Sequence, residues 1–131
     1  MGTRSPKSTQ SESAPPRVAS TETIEAPVLA SSYFATDLAP WQPTGDPGFW
    51  IKPVYRNDAL GQQTMLMKVD PGAFAESHSH EEFEQVFVLE GSFFDAEREL
   101  RAGDYCCRAI GAQHIAGSRD GAIVLLVYTR P

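Results

Sequence analysis

The sequence predicts an all-β domain, and three observations carry that prediction. From Phe49 onward, short extended runs alternate with turn residues at regular intervals, and no stretch has the periodicity of a long helix. At 131 residues with 41% hydrophobic content, the chain can bury one core and is too short for two ordinary domains. The predicted strands are residues 49–55, 63–69, 74–80, 83–89, 92–96, 104–109, 114–116 and 122–129.

The composition divides the chain into three parts. Residues 1–27 are rich in Ser, Thr, Pro and Glu and hold few large apolar side chains, which predicts a disordered tail. Residues 28–48 regain apolar side chains between turn signals and are predicted to form a lead-in that wraps the barrel of residues 49–131. The predicted anchors of the lead-in are Leu29, Tyr33, Phe34, Leu38 and Trp41, followed by Phe49 and Trp50.

The charge balance argues against nucleic-acid and membrane partners. There are 11 Lys and Arg residues against 17 Asp and Glu, and the charges up to Glu25 cancel, so the net charge of −6 belongs to the remainder. Such a surface should not attract phosphate backbones or anionic lipid. The sequence has no run of 18 apolar residues and no secretory signal, so we expect a cytoplasmic protein that binds neither nucleic acid nor membrane.

The three histidines of the chain fall in a pattern typical of a metal site. His78 and His80 are separated by one residue, so an extended backbone would point both imidazoles to one face, with Cα atoms roughly 6.6 to 7 Å apart. Taken alone, such a pair is more often two solvated strand residues. Glu84, just past a polar turn, adds a carboxylate, and His114 adds a third imidazole. The four residues together favour a metal site over a solvated pair.

The predicted centre holds one divalent metal ion per chain. Three neutral imidazoles and one carboxylate leave the ion with a net charge of about +1 and, if it is six-coordinate, two open positions. Waters, a bidentate oxygen ligand, or one substrate oxygen and dioxygen would fit there. Imidazole suits Zn, Cu, Fe and Ni, and carboxylate also tolerates Mn, so the ligands alone do not select the ion. Fe(II) is the first choice for an active enzyme.

Strand parity predicts which neighbours share the interior with these ligands. If the histidine pair faces inward, Phe74 and Glu76 lie on the same side, and if Glu84 faces inward, so do Val86 and Val88. An interior of this kind is mostly apolar with a few polar groups, which is the composition of a small-molecule pocket.

Two further segments leave alternatives open. Cys106 and Cys107 are adjacent, so strand geometry points them to opposite faces and predicts free thiols that fill core space, with a redox role as the alternative. Residues 122–128 are apolar on both faces. That pattern predicts either a strand covered on both sides within one subunit or a strand in a dimer interface.

The motif around the histidine pair resembles that of the cupin family. Gly72, His78, His80, Glu84 and Gly91 fill every position of the first cupin pattern, G-x5-H-x-H-x3-E-x6-G. The resemblance covers residues 49–131 and implies a cupin double-stranded β-helix, a jelly-roll barrel, in a single domain.

The second cupin pattern, G-x5-P-x-G-x2-H-x3-N, is matched in part. Gly103, Gly111 and His114 occupy their positions, whereas Ala109 stands where the pattern has Pro and Ser118 where it has Asn. Neither departure falls on a metal ligand.

Among cupins, the sequence looks most like the group that contains the ChrR-type cupin domain, on the segments PGFWIKPVYRNDALGQQTMLMKVDPG and FEQVFVLEGSFFD. Relatives in this region of the family include dioxygenases that cleave carbon–carbon bonds of diketones and hydroxyaryl ketones. The resemblance therefore implies a mononuclear, dioxygenase-like enzyme whose substrate is a small diketone or hydroxyketone chelated by the metal. Because cupins commonly pack their sheets together, it also favours a homodimer.

The resemblance assigns a role to each of four residues. His78, His80, Glu84 and His114 would be the metal ligands. Glu84 is also the predicted catalytic residue, because it would either remain on the metal or swing off it to act as a base.

A metal-containing binding or sensing module without turnover is the competing hypothesis, since one barrel hosts enzymes and ligand sensors alike. The ChrR-type anti-sigma factors also have a separate zinc domain that grips the sigma factor, and this sequence does not supply its Cys and His ligands. That difference argues against an anti-sigma role.

Overall fold

The computed structural model describes Gly2 and residues 14–131, and it confirms the all-β prediction. Within this part of the chain there are ten strands and no helix. They are β1 (Ile24–Glu25), β2 (Gln42–Pro43), β3 (Phe49–Asn57), β4 (Gln62–Val69), β5 (Phe74–His78), β6 (Phe83–Phe94), β7 (Glu99–Arg101), β8 (Tyr105–Arg108), β9 (His114–Gly117) and β10 (Ala122–Thr129). Over the described residues, no helix is long and apolar enough to cross a membrane.

The strands form one curled sheet in the order β1-β3-β4-β10-β6-β9-β5, with β2 added to β3 and both β7 and β8 added to β6. The pairing is antiparallel except between β1 and β3. The sheet closes over a core of alternating inward-facing side chains. These buried residues are Phe49, Met65, Val69, Val86, Val88, Phe93, Leu100, Ala116, Ala122, Val124 and Leu126.

The central strand β6 replaces two predicted strands. The sequence predicts a turn at Glu90-Gly91, but the strand continues through it and bends, because a register shift in the β10 pairing leaves Leu89 without a Cα partner there. Gly91 has φ of 72°, and a Cβ at this position would lie 1.9 Å from the Gly121 carbonyl oxygen. Only glycine therefore allows the two backbones to approach so closely.

The parity predicted for β5 is wrong, and a register shift explains the error. Phe74 is 52% exposed and Glu76 is also exposed, whereas Ala75 packs against the core. The pairing of β5 with β9 shifts between Ala75 and His78, so simple alternation does not hold across this segment. In β6, by contrast, Val86 and Val88 are buried on the face of Glu84, as parity predicted.

The lead-in is held to the barrel by smaller side chains than the sequence suggested. Leu29, Tyr33 and Leu38 are exposed, while Ala35 and Ala39 are buried. The amides of residues 38 and 39 both donate to the Ala35 carbonyl, which makes a tight turn whose backbone lies close to the sheet. Small residues fit beneath such a turn, and its larger side chains point outward.

Lys52 and Trp41 fasten the lead-in to the sheet. Lys52 is buried and donates from Nζ to the Thr36 carbonyl at 2.5 Å, and its ammonium group lies 4.5 Å from the centre of the Trp41 ring. The charge is therefore stabilised by a carbonyl and an aromatic face.

Three strands were not predicted, because each carries a weak signal, and one of them, β2, is only two residues long. β7 contains a single apolar residue, Leu100, which is buried. β1 is a two-residue strand that lies inside the segment predicted to be a disordered tail, and Ile24 pairs with Tyr55 of β3. Residues 1 and 3–13 of that segment lie outside the described residues, and the disordered tail stays a prediction.

Deletion of residues 1–27 is expected to leave the barrel folded, with a loss of about 1 to 2 kcal/mol in the free energy of unfolding. The loss comes from β1 and from Thr23, whose hydroxyl donates to the Pro53 carbonyl at 3.1 Å. The Glu25–Arg56 ion pair is exposed and should add little. Denaturant unfolding of both chains measures the difference. A chain that lacks only residues 1–19 is the control, and precipitation of the shorter chain would contradict the prediction.

The outer face of the sheet carries an apolar row in register. Tyr105 of β8 pairs with Phe87 of β6, which in turn pairs with Leu125 of β10. Tyr105 and Phe87 are exposed, and Leu125 is half-buried. Residues 122–128 are thus covered on the inner face and only partly covered on the outer face.

Both cysteines are free thiols, but only one of them occupies core space as predicted. Cys106 is half-buried against the core. Cys107 points to the other side of β8 and is exposed, so the prediction that it fills core space is wrong.

Candidate metal centre

Sheet register places two of the three histidines face to face. His78 at the end of β5 is the Cα partner of His114 at the start of β9, and the centres of their rings are 4.3 Å apart. Directly opposed residues in an antiparallel pair point to the same face. The two imidazoles, 36 residues apart in sequence, therefore become neighbours.

His80 reaches the same point from beyond the end of β5. It lies outside the strand, just before the bend at residues 81–82, and its carbonyl accepts a hydrogen bond from the Gly111 amide at 2.8 Å. That amide belongs to the turn closed by the bond from the Ala112 amide to the Ala109 carbonyl. The turn that leads to His114 therefore also fixes His80, and it forms with Ala109 in the position where the cupin pattern has Pro.

The three histidines converge closely enough to hold one ion. One nitrogen from each of His78, His80 and His114 lies within 4.8 Å of the others. Such spacing suits imidazole ligands that bind a common metal at about 2.0 to 2.1 Å.

Backbone hydrogen bonds set the tautomers of two of these rings. His78 donates from Nδ1 to the Glu76 carbonyl at 2.8 Å, and His114 donates from Nδ1 to the Ala112 carbonyl at 3.2 Å. A carbonyl can only accept, so Nδ1 carries the proton in both rings. In a neutral imidazole this leaves the Nε2 lone pair free to bind a metal.

The buried Nε2 of His80 provides an independent test of whether this set of residues fits a metal. This atom has no hydrogen-bond partner among the described residues. It lies 3.1 Å from Glu84 Oε2, but the two atoms are not aligned for a hydrogen bond. An unpaired buried nitrogen is unfavourable unless it meets a ligand, and a metal ion would satisfy it. The residues present therefore fit a metal ion.

Burial keeps the His114 imidazole neutral, which is the form that binds metal. Burial lowers the pKa of His114 below its ordinary value, although its hydrogen bond to Ala112 acts in the opposite direction. His114 is therefore neutral at pH 7, which is the protonation state required of a ligand.

Glu84 lies beside the histidines, and each of its carboxylate oxygens accepts one hydrogen bond. Its Oε1 accepts from Arg108 Nε at 3.0 Å, and its Oε2 accepts from the Tyr128 hydroxyl at 2.6 Å. Its Oε1 is also 3.5 Å from His114 Nε2. It falls outside the tight group formed by the three histidines alone.

A second carboxylate balances the buried arginine. Asp95 accepts from Arg108 Nη1 at 2.7 Å and from the amides of Glu97 and Arg98, both at 2.8 Å. Burial alone would raise the pKa of Asp95, but the bonds from Arg108 and the two amides hold it below its ordinary value. Asp95 is therefore ionised at pH 7.

Asp95→Asn is expected to lower the free energy of unfolding at neutral pH by about 1 to 3 kcal/mol, because it removes one of the two carboxylates paired with the buried Arg108, which keeps its bond to Glu84. Because the folded-state pKa is depressed, the carboxylate stabilises the fold above about pH 4, and this contribution is lost as the pH falls through the folded-state value. The variant should therefore show a flatter decline of stability in acid. Denaturant unfolding between pH 7 and pH 3 measures both effects.

Asp120→Asn, in the exposed turn before β10, is the matched control and should leave the acid dependence unchanged. If the stability of wild type and of Asp95→Asn declined in parallel as the pH falls, the lowered pKa assigned to Asp95 would be contradicted.

A cavity of about 110 Å³ adjoins the histidines. It is polar at the histidine end and apolar along the remaining inner walls, while Thr44 and Asp46 of the lead-in lie at its exposed side. The lining residues are Thr44, Asp46, Phe49, Met67, Ala75, His78, His80, Glu84, Phe93, His114, Ala116, Leu126 and Tyr128. A second cavity of about 370 Å³ lies on the other side of His114, beside Arg108 and Asp95.

Sequence reasoning missed two residues of this site. Arg108 and Tyr128 touch Glu84, but they lie 24 and 44 residues away from it in sequence and belong to neither cupin pattern. The signal that could have found them is strand register, since both are Cα partners of Glu84.

Ser118 stands where the second cupin pattern has Asn, and it is buried. Its hydroxyl donates to the Ser92 carbonyl and accepts from the Gly121 amide at 2.8 Å.

The fold and the site define a cupin barrel with a three-histidine cluster that can hold a metal. The sequence profile of the ChrR cupin-like domain matches residues 30–131, so the chain belongs to that family. Comparison with curated proteins gives no match.

Solved structures share the fold. KdgF from Halomonas sp. is 25% identical, with a TM-score of 0.65 over 76% of this chain and 95% of that one. A chain from the complex of Rhodobacter sphaeroides SigE with the anti-sigma ChrR is 20% identical, with a TM-score of 0.63 over 72% of this chain and 51% of that one. A candidate acetylacetone dioxygenase from Methylibium petroleiphilum is 15% identical, with a TM-score of 0.70 over 79% and 80% of the two chains.

Proposed function

We propose that the protein is a mononuclear metal-dependent cupin enzyme of the dioxygenase type, which acts on a small diketone or hydroxyketone. The observation that carries the proposal is the convergence of three imidazoles, one with an unpaired buried nitrogen, at the polar end of a small cavity with apolar walls. One divalent ion, with Fe(II) as the first choice, would be held by His78, His80 and His114.

Glu84 is proposed as the fourth ligand. Its oxygens lie 3.1 and 3.5 Å from the Nε2 atoms of His80 and His114. Two donor atoms bound to one ion at about 2.1 Å and at right angles would be about 3 Å apart, so the carboxylate is close to a ligating position. An ion in this position supplies Lewis-acid polarisation of substrate oxygens and, as Fe(II), redox chemistry with dioxygen.

The cavity walls support a small substrate without a negative charge. None of the described residues that line the cavity is Lys or Arg, and two of them, Asp46 and Glu84, are acidic. A substrate carboxylate would therefore meet no protein cation inside this cavity, whereas Phe49, Met67 and Leu126 can cover an apolar body. A volume of about 110 Å³ limits the substrate to a few carbon and oxygen atoms.

Oxygen uptake by protein loaded with Fe(II) tests the proposal. A panel of small diketones and hydroxyketones should contain at least one compound that drives uptake in stoichiometric proportion to its consumption. A dicarboxylate of similar size serves as the matched control and should be inert. Absence of uptake with every compound, by protein shown to retain its iron, would overturn the enzymatic proposal.

A binding or sensing module without turnover is the second candidate, and the similarity to a chain of the SigE–ChrR complex favours it. In that case a diketone would change the visible spectrum of the metal-loaded protein without consuming oxygen. The same panel therefore separates the two functions.

We also propose that the protein forms a homodimer through the outer face of the sheet. The support is the apolar row of Tyr105, Phe87 and Leu125, extended by Leu89, which is also exposed. Phe87→Glu is expected to convert a dimer to a monomer in light scattering, because a charge in this row would be buried on association. A monomeric wild type would contradict the proposal.

A further inference from the structure

Strand pairing places Glu84 between two polar side chains, one on each neighbouring strand. Arg108 of β8 is its Cα partner on one side, and Tyr128 of β10 is its Cα partner on the other. Directly opposed residues of an antiparallel sheet point to the same face, so all three side chains enter the barrel interior together. No single segment of sequence contains this group.

Each oxygen of Glu84 receives one protein donor. Arg108 Nε reaches Oε1 at 3.0 Å, and the Tyr128 hydroxyl reaches Oε2 at 2.6 Å. A carboxylate oxygen has two lone pairs, so each oxygen keeps one that can face the histidines. With exposed side-chain fractions of 7% for Glu84 and 8% for Arg108, water cannot readily substitute for either donor.

The donors are themselves anchored. Arg108 is held by Asp95 at 2.7 Å, and Asp95 is held in turn by the amides of Glu97 and Arg98 in the turn after β6. Tyr128 packs against the core, with its ring centre 5.3 Å from that of His80. The carboxylate is thus held in one orientation by a chain of contacts that begins outside the metal centre.

We infer that Arg108 and Tyr128 are positioning residues that orient the Glu84 carboxylate toward the metal. The inference rests on the proposed metal centre, and it assigns a role in that centre to two residues outside both cupin patterns. Hydrogen bonds to a ligating group raise metal affinity by fixing its geometry, and their loss typically lowers affinity about 10- to 100-fold. Neither residue is proposed as a ligand of the ion.

Tyr128→Phe tests the inference, because it removes the hydroxyl and keeps the ring. The matched control is Tyr55→Phe, since Tyr55 also donates its hydroxyl to a side-chain acceptor, Gln62 Oε1 at 2.9 Å, on strands away from the histidines. Co(II) is the probe: its affinity is measured by competition with a chelator, and its visible absorption reports the ligand geometry.

The expected result is a loss of Co(II) affinity of about 10- to 100-fold for Tyr128→Phe with an altered visible spectrum. Tyr55→Phe should match wild type in both readouts. Arg108→Lys, which keeps the positive charge but not the planar group, should also weaken binding. In a Glu84→Gln background, the further effect of Tyr128→Phe should shrink to less than about threefold, since the hydroxyl acts through the carboxylate.

The inference would be overturned by an unchanged Co(II) affinity and spectrum in Tyr128→Phe, by an equal change in Tyr55→Phe, or by a full effect of Tyr128→Phe in the Glu84→Gln background. A lower stability of the metal-free protein with normal Co(II) binding would show a purely structural role and would also overturn it. Failure of wild type to bind Co(II) is a different result, because it would remove the proposed metal centre.

Discussion

His80→Ala is expected to reduce bound divalent metal from about one ion per chain to well below one tenth. The reason is that His80 supplies one of three converging nitrogens and is the one left buried without a protein partner. Elemental analysis after growth in medium supplemented with Fe, Zn, Mn, Ni or Cu measures the content. Ser79→Ala, an exposed neighbour between the two ligands, is the control and should retain full occupancy.

The same variant should lose stabilisation by metal. Metal that binds only the folded state, at a concentration 1,000 times its dissociation constant, raises the free energy of unfolding by about 4 kcal/mol. Wild type should show this gain and His80→Ala should not. A wild-type content well below one ion for every metal tried, or full metal content in His80→Ala, would refute the assignment of the site.

Glu84→Gln is the second variant with a large expected effect, and it separates the roles of the carboxylate. If Glu84 is a permanent ligand, metal affinity should fall at least about 10-fold, because the amide lacks the anionic oxygen. The fold should survive with a loss of about 1 to 3 kcal/mol, since Arg108 keeps its bond to Asp95. Metal content and denaturant unfolding measure the two effects.

The other roles predict different combinations of results. If Glu84 acts chiefly as a base, metal content should hold and oxygen uptake alone should collapse. If the protein is a binding module, ligand affinity should change while neither form consumes oxygen. Unchanged metal content, ligand binding and oxygen uptake would mean that Glu84 has no part in the site. Gln85→Glu, on the outer side of the same strand, adds a carboxylate outside the cavity and should reproduce none of these changes.

Local signals predicted the barrel and the pair of His78 and His80, because both depend on short-range chemistry. The His-x-His spacing, the glycines of the motif and the turn residues between apolar runs all act within a few residues. The β4 and β10 strands form at or within one residue of the predicted bounds for the same reason. Val86 and Val88 lie inward because alternation in this part of β6 is uninterrupted.

Irregular pairing limited what alternation could predict. The shift between Ala75 and His78 reversed the expected face of Phe74, and the close approach at Gly91 joined two predicted strands into one. The anchors of the lead-in were predicted only in part. Trp41 packs on Lys52 as an anchor, but Leu29, Tyr33 and Leu38 are exposed, and the small Ala35 and Ala39 are the buried residues of the tight turn.

The sequence by itself determined the fold class and the pairing of His78 with His80, since turn chemistry and His-x-His spacing act within a few residues. The tertiary structure brings His114 to this pair through the pairing of β9 with β5. Only the tertiary structure decided what surrounds Glu84. Its partners Arg108 and Tyr128 come from strands 24 and 44 residues away, and their contact follows from the register of β8 and β10 on β6. Register is set by the packing of the whole sheet, so a buried contact between distant strands has no signature in either segment alone.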